Sequence, residues 1–310
     1  MTGQECRFAN GPFAGGKLGE VWPQMPPEWT GAEMNRGGDF PLLVKFIFPQ
    51  DKLSVQVHPD EAYAALHERA AGGRGKTEMW YAVDARPGAQ VLVGLKANVT
   101  REDFSRAIID GNAEGCLEPV PLRAGEAVFV PAGTAHTIGP GLVLCEIQQN
   151  SDLTYRVYDY NRRDSKGQAR PLHIEKALDV MRFGKQVGGK VTPVTIQRGA
   201  LAQTYCAACP YFATEHWAFS TSLQASISKA RFELFIFLEG RGELGWAAEH
   251  VTYAPAQVWL IPAALGELGL VPNTSTSLLR TYLPGDLDQL RRALVDRGVS
   301  EAQWLSLVHP

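Results

Sequence analysis

Hydrophobic and polar residues alternate along several short stretches of the chain. In LSVQVH (53–58), Leu53, Val55 and Val57 are set against Ser54, Gln56 and His58. That is the two-residue period of a strand with one apolar and one polar face. LLVKFIF (42–48), EMWYAVD (78–84), QVLVGL (90–95), EAVFVP (126–131) and LVLCEIQQ (142–149) read as further strands. Glycine and proline punctuate them, and many short strands with turn signals between them predict a sandwich or a barrel. Two helical segments interrupt the pattern. PDEAYAALHERA (59–70) opens with proline and two acids, and TREDFSRAIIDG (100–111) has Thr100 as N-cap with Asp103 three residues on.

A second β-rich region runs from about 190 to 284. Within it, RFELFIFLEGRGELGW (231–246) reads as two strands joined by a glycine-rich turn. APAQVWLIPAALGELGL (254–270) repeats the phrase RAGEAVFVPAGTAHTIG (123–139): a turn, an apolar strand, Pro-Ala, then a loop of small residues. This is a faint internal repeat of one barrel motif. The first copy carries His136 after its Pro-Ala, and the second has no histidine there. One barrel is therefore expected to hold a metal and the other to be metal-free. DLDQLRRALVDRGV (286–299) closes the chain as an amphipathic helix.

Composition narrows the class. With 310 residues, 45% of them hydrophobic and 20% charged, the chain suffices for two ordinary domains with a sizeable core. A net charge of −3 gives no global signal for nucleic acid or an anionic membrane surface. The N-terminal MTGQECRFANGPFAGG lacks the pattern of a signal peptide, and no apolar run is long enough to span a bilayer. Cys6, Cys116, Cys145, Cys206 and Cys209 are too few and too scattered for a disulfide framework. The lone CxxC at Cys206 and Cys209 has no second ligand pair for structural zinc. These features lead to an expectation of a cytoplasmic protein with reduced thiols.

The candidate chemistry lies on separate segments. Gln56 and His58 share a strand face, Lys76 and Glu78 share another, and His136 follows a strand in a glycine-rich loop. Taken singly, each has an ordinary structural explanation: a surface amide, a solvated ion pair, a satisfied core histidine. Together two imidazoles, a carboxylate and an amide form a nitrogen and oxygen set. It suits zinc with an open position, and other divalent metals equally. His67, His173, His216, His250 and His309 read as structural or exposed.

SVQVHP, GKTEMWY, VPAGTAHTI and EIQQNSDLTYRVYDYNR, in this order, resemble the type I mannose-6-phosphate isomerases in their short bacterial form. GKLGEVW (16–22) resembles the family's Gly-Glu-Ser-Trp phrase, with Val21 where serine is usual. The similarity is densest from about residue 10 to 165. It implies a mainly β fold of two jelly-roll (cupin) barrels with a few short helices. The catalytic barrel with helical insertions is then expected over 1–185, and the second barrel with the C-terminal helix over 186–310. The resemblance also implies that Gln56, His58, Glu78 and His136 bind one zinc ion. It makes Arg156 the catalytic arginine and places Lys76 and Glu146 in the pocket. The reaction implied is interconversion of mannose 6-phosphate and fructose 6-phosphate.

That chemistry asks for such residues. Isomerisation removes a proton beside a carbonyl and develops charge on oxygen, which a cation and a fixed guanidinium stabilise. A base must move the proton between C1 and C2. Glu146 is the first candidate, because it shares a strand face with Leu142 and Leu144 and so loses solvent. Lys76 and a metal-bound water are its rivals. The phosphate of a small phosphorylated hexose wants cationic donors, which Lys76 and Arg156 offer, with Ser54 adding a hydroxyl. Two other functions use the same residues: a non-haem metal cupin oxygenase, and a catalytically silent sugar-phosphate-binding cupin. The cationic handles favour the isomerase.

Overall fold

A computed structural model describes residues 5–31, 38–184 and 188–309. The chain divides into two compact units, one running through Phe40–Val191 and the other combining Cys6–Asp39 with Thr192–Pro310. The sequence reading starts the first domain at residue 1. In the structure, the segment from Cys6 instead belongs with the second unit. There Trp22 sits edge-on to Phe232 with ring centroids 5.5 Å apart, and Phe232 donates its N–H to the Thr30 carbonyl at 3.0 Å. Of the expected loop at 22–38, Trp22–Gln24 and Pro27–Thr30 form single helical turns. Residues 32–37 lie outside the described residues.

The first unit contains β1 (Leu42–Ile47), β2 (Val55–Val57), β3 (Glu78–Ala85), β4 (Gln90–Leu95) and β5 (Leu117–Pro121). It continues with β6 (Ala127–Val130), β7 (His136–Ile138), β8 (Leu142–Gln149), β9 (Tyr155–Tyr158) and β10 (Gly189–Lys190). They form two five-stranded antiparallel sheets, β1-β8-β3-β6-β10 and β5-β4-β7-β2-β9. Between the sheets lies a hydrophobic core of Trp80, Ala82, Val91, Val93, Val128, Ile138 and Leu144. The outer face of the second sheet is apolar too. Val55, Val57, Tyr155 and Val157 pack there against Phe104, Ile108, Ala177 and Leu178. The last four residues come from helices at Arg101–Ile109 and Ile174–Val180.

Local signals explain the helices. Thr100 and Asp103 form a reciprocal capping box at the first. At the helix expected over 59–70, Asp60 caps by accepting from Tyr63 N, and the α-helical turns run only over Glu61–His67. The helix at Ile174–Val180 has no side-chain cap, and the sequence reading does not contain it.

The second unit contains β11 (Val194–Arg198), β12 (Leu201–Ala208), β13 (Ala213–Phe219), β14 (Leu223–Ser226) and β15 (Glu233–Glu239). It continues with β16 (Gly242–Trp246), β17 (Glu249–Tyr253), β18 (Val258–Ile261), β19 (Glu267–Pro272) and β20 (Thr276–Tyr282). Its sheets run β11-β12-β13-β20-β15-β18 and β14-β19-β16-β17, around a core that includes Trp217, Phe235, Phe237, Leu244, Leu268 and Leu278. The strands expected within 231–246 both form, but not as a paired hairpin: β15 and β16 lie in different sheets. Gly240, at φ 87°, carries the chain between them, and a Cβ there would stand 2.4 Å from Thr276 Oγ1. The closing helix spans Leu287–Val295 and is followed by a second at Glu301–Leu307. Among the described residues, no helix is long and apolar enough to cross a membrane.

Candidate metal centre

The short strand β2 is covered on its outer side, where Val55 and Val57 are fully buried against the helices. Alternation therefore turns Gln56 inward, between the sheets, and His58 follows it just past the strand. Gln56 stands opposite His136, the first residue of β7. Glu78 opens β3 in the facing sheet. Three segments distant in sequence thus deliver His58, Glu78 and His136, whose ligand atoms all lie within 4.8 Å of one another. His136 Nε2 is 3.3 Å from Glu78 Oε1, and His58 Nε2 is 3.6 Å from Glu78 Oε2.

The hydrogen bonds around this group fix its chemistry. His58 Nδ1 donates to the Leu153 carbonyl at 2.8 Å, and His136 Nδ1 donates to the Thr134 carbonyl at 2.9 Å. Each Nε2 lone pair is thereby aimed at Glu78, the tautomer following from these carbonyl partners. Burial holds the His136 imidazolium down to a pKa of about 4, with Lys76 adding to the effect. Burial, Lys76 and His136 likewise hold His58 well below the ordinary histidine value. Both rings are therefore neutral at pH 7.

Glu78 is fully buried, and neither carboxylate oxygen accepts a hydrogen bond of good geometry. Lys76 Nζ, 3.2 Å from Oε2, is its one cationic neighbour among the described residues. A buried carboxylate facing two imidazole lone pairs is an arrangement of acceptors, costly unless a cation sits among them. A carbonyl accepting from each Nδ1, as Leu153 and Thr134 do here, is the usual support of metal-ligating histidines. Gln56 approaches His136 Nε2 at 3.2 Å through Nε2. Half a turn of its amide presents the oxygen as a fourth donor. The residues present fit a divalent metal ion.

The other predicted residues adjoin this group. Lys76, 5% exposed, donates to His58 Nε2 at 3.2 Å. Burial lowers its proton affinity, but Glu78 and Glu146 outweigh burial and hold the ammonium above its ordinary value. Glu146 lies opposite Trp80 in the β3–β8 register and accepts the indole Nε1–H at 3.0 Å. Its carboxyl is raised by burial and by Glu78. Arg156 lies opposite Gln56 in the β2–β9 register. Its guanidinium donates to Ser54 Oγ at 3.3 Å and to the Pro171 carbonyl at 3.1 Å, rather than to the candidate ligands. Beyond it Asp159 gathers Arg162 and Arg170, bonding Arg170 Nε at 2.8 Å.

Three residues near the site are not among the predicted ones: Lys45, Trp80 and Gln148. Lys45 Nζ lies 3.4 Å from Glu146 Oε2 and donates to Gln148 Oε1 at 2.9 Å. Its signal is legible in LLVKFIF, where Lys45 shares strand parity with Leu43 and Ile47. A lysine on the inward face of an apolar strand needs a buried acid, and Glu146 is opposite it in the register. His173, read as structural, accepts the Arg156 backbone N–H at 3.3 Å.

The comparisons bear on this geometry. No protein-family model matches the chain. It is 36% identical over 272 residues to the mannose-6-phosphate isomerase of Streptococcus mutans, covering 86% of this chain and 83% of that protein. It is 35% identical over 261 residues to the mannose-6-phosphate isomerase ManA of Bacillus subtilis, covering 84% and 80%. The crystal structure of the mannose 6-phosphate isomerase from Bacillus subtilis superposes with a TM-score of 0.81 at 30% identity, over 89% of this chain and 84% of that one. Fold and relatives thus define an isomerase of the cupin type, with a buried His-Glu-His group that could hold a metal ion. The chain belongs to the mannose-6-phosphate isomerase family.

Proposed function

We propose that this protein is a metal-dependent aldose–ketose isomerase that interconverts mannose 6-phosphate and fructose 6-phosphate. The observation that carries this reading is the convergence of His58, Glu78 and His136 on one buried point, in a chain of this family. Gln56, His58, Glu78 and His136 would hold the ion. Two imidazole nitrogens, a carboxylate and an amide oxygen suit zinc with an open coordination position. When bound, the metal supplies Lewis-acid stabilisation of the oxygen charge that builds up as the proton leaves carbon.

The chain's own residues account for the rest. Glu146 is the side chain we assign to proton transfer between C1 and C2. Burial and Glu78 raise its carboxyl toward the operating pH, where a general base works best. Trp80 holds one of its oxygens, and the other faces Lys45. Lys76 is the poorer base, because its neighbouring carboxylates keep it protonated. As an ammonium it offsets negative charge on the sugar oxygens. Arg156, with Ser54 bonded to it, presents a guanidinium for the phosphate or the developing enediolate. The first unit carries the reaction, and the second holds no metal. A phosphorylated hexose substrate and five unpaired cysteine thiols fit a cytoplasmic enzyme.

The test is a coupled assay with the metal-loaded protein. Mannose 6-phosphate is expected to yield fructose 6-phosphate. Glucose 6-phosphate and unphosphorylated mannose are expected to turn over at least about a hundredfold more slowly, since the first turns its C2–H to the opposite face and the second leaves the cationic donors for the phosphate unpaired. No turnover of mannose 6-phosphate, with tight binding retained, would support a silent binding protein instead.

A further inference from the structure

The second barrel repeats the frame of the first site with its charges rearranged. In the first, Glu78 opens β3 opposite Val130 at the end of β6, and Trp80 lies opposite Glu146. In the second, Glu233 opens β15 opposite Ile261 at the end of β18, and Phe235 lies opposite Arg280. Across β1–β8 Lys45 faces Glu146, and across β13–β20 Glu215 faces Arg280. Three register pairs therefore assign the same correspondence. Glu78 is matched by Glu233, Lys45 by Glu215, and Glu146 by Arg280. One acid is kept, and the lysine–acid pair is inverted to an acid–arginine pair.

On the opposing sheet the residues buried in the core are apolar, and its Gln224 and His250 are exposed. Glu267, at the place of His136 in the repeat, is exposed and accepts from Ser226, while the adjoining pair Ala225–Leu268 is buried in the second core. Ile227, two residues beyond Ala225, is buried in the same core. What remains is a pair of buried carboxylates, Glu233 and Glu215, which are 0% and 1% exposed. Arg280 bridges them. Its Nε and one terminal nitrogen bond the two oxygens of Glu233 at 2.7 and 2.5 Å, and its other terminal nitrogen reaches Glu215 at 3.4 Å. Gln203, Trp217 and Tyr282 complete the shell of Glu215 at 2.7, 2.7 and 2.8 Å. Where Glu78 leaves both oxygens without hydrogen bonds, Glu233 has both satisfied by a guanidinium.

We propose that Arg280 is the resident cation of a second site homologous in position to the first, and that this site takes no metal. Two buried carboxylates cannot both stay ionised without a counter-charge. The chain supplies that charge covalently, so the second barrel holds its fold whether or not metal is present. The site is distinct from the one assigned to catalysis, and the inference stands whether or not that assignment holds.

Thermal unfolding of the full-length chain tests it. Arg280→Ala is expected to lower Tm by about 10 °C, the cost of stranding a buried acid pair in a domain of this size. Calcium at about 5 mM, a hard cation suited to oxygen donors alone, is expected to recover part of that loss and to leave the wild type unchanged. Arg280→Ala with Glu233→Gln is expected to be more stable than Arg280→Ala and insensitive to calcium. The proposal is overturned if Arg280→Ala unfolds within about 2 °C of the wild type or ignores calcium. Should Arg280→Ala not fold, the double variant decides: its folding supports the proposal and its failure to fold ends it.

Discussion

Trp80 lies directly across the β3–β8 register from Glu146 and donates its indole N–H to that carboxylate at 3.0 Å. The same ring meets His136 edge-on, with centroids 5.3 Å apart. One buried indole therefore touches both a candidate metal ligand and the candidate base. Trp80→Phe keeps the ring against His136 and removes the donor from Glu146. A hydrogen bond to a charged group contributes roughly 1.5–3 kcal/mol, so kcat is expected to fall by about tenfold or more with KM little changed. The Trp80 bond favours the ionised carboxylate, so its loss moves the acid limb of the rate profile to higher pH. An unchanged kcat and pH profile would remove Trp80 from the positioning of Glu146.

Arg156 is joined to Ser54 and the Pro171 carbonyl, and its backbone to His173. None of these is a metal ligand candidate. Arg156→Ala is thus expected to keep its metal content and fold while losing roughly 10²–10³ in kcat/KM, the scale of one preorganised charged donor. The coupled assay together with elemental analysis reads both. Loss of metal along with activity would show that Arg156 shapes the centre instead of acting on substrate.

The pH dependence of stability follows from the imidazoles. In the metal-stripped chain His136 titrates near 4, against an ordinary value of 6.5. Between these values the unfolded chain binds more protons than the folded one, so stability is present above pH 6.5 and is lost as pH falls toward 4. For His136 alone the window amounts to about 3 kcal/mol, and His58 acts in the same direction. Glu146 opposes them, since a raised carboxyl favours the folded state at low pH. Urea unfolding at pH 7 and pH 5 is expected to show a marked loss for the metal-stripped wild type and a smaller one for His136→Asn. Equal losses in the two proteins would exclude His136 as the titrating group.

Much of the first barrel is legible in the chain because both signals it uses are local. The alternation in LSVQVH puts Gln56 and His58 on one face, and the capping pair Thr100–Asp103 starts a helix where the sequence reads one. The side to which a face turns is not local. Val55 and Val57 look outward only because helices at Arg101–Ile109 and Ile174–Val180 cover them, and the second of these has no cap to announce it. Lys45 carried a signal of parity whose meaning depended on Glu146, about a hundred residues later, lying opposite it. The N-terminal segment joins the second unit through Trp22 and Phe232, a contact between distant residues that no spacing encodes. Gly240 reads as a hairpin turn in sequence, yet it carries the chain from one sheet to the other, because turn residues mark a change of direction without naming the partner strand.

The central claim is that His58, Glu78 and His136, with Gln56, hold a single divalent ion. Metal analysis of the dialysed full-length protein beside its Glu78→Gln and His136→Ala variants tests it most directly. About one ion per chain is expected in the wild type, and a loss of at least about tenfold in affinity in each variant, with circular dichroism unchanged. A full complement of metal in either folded variant, or none in the wild type after loading, would contradict the account.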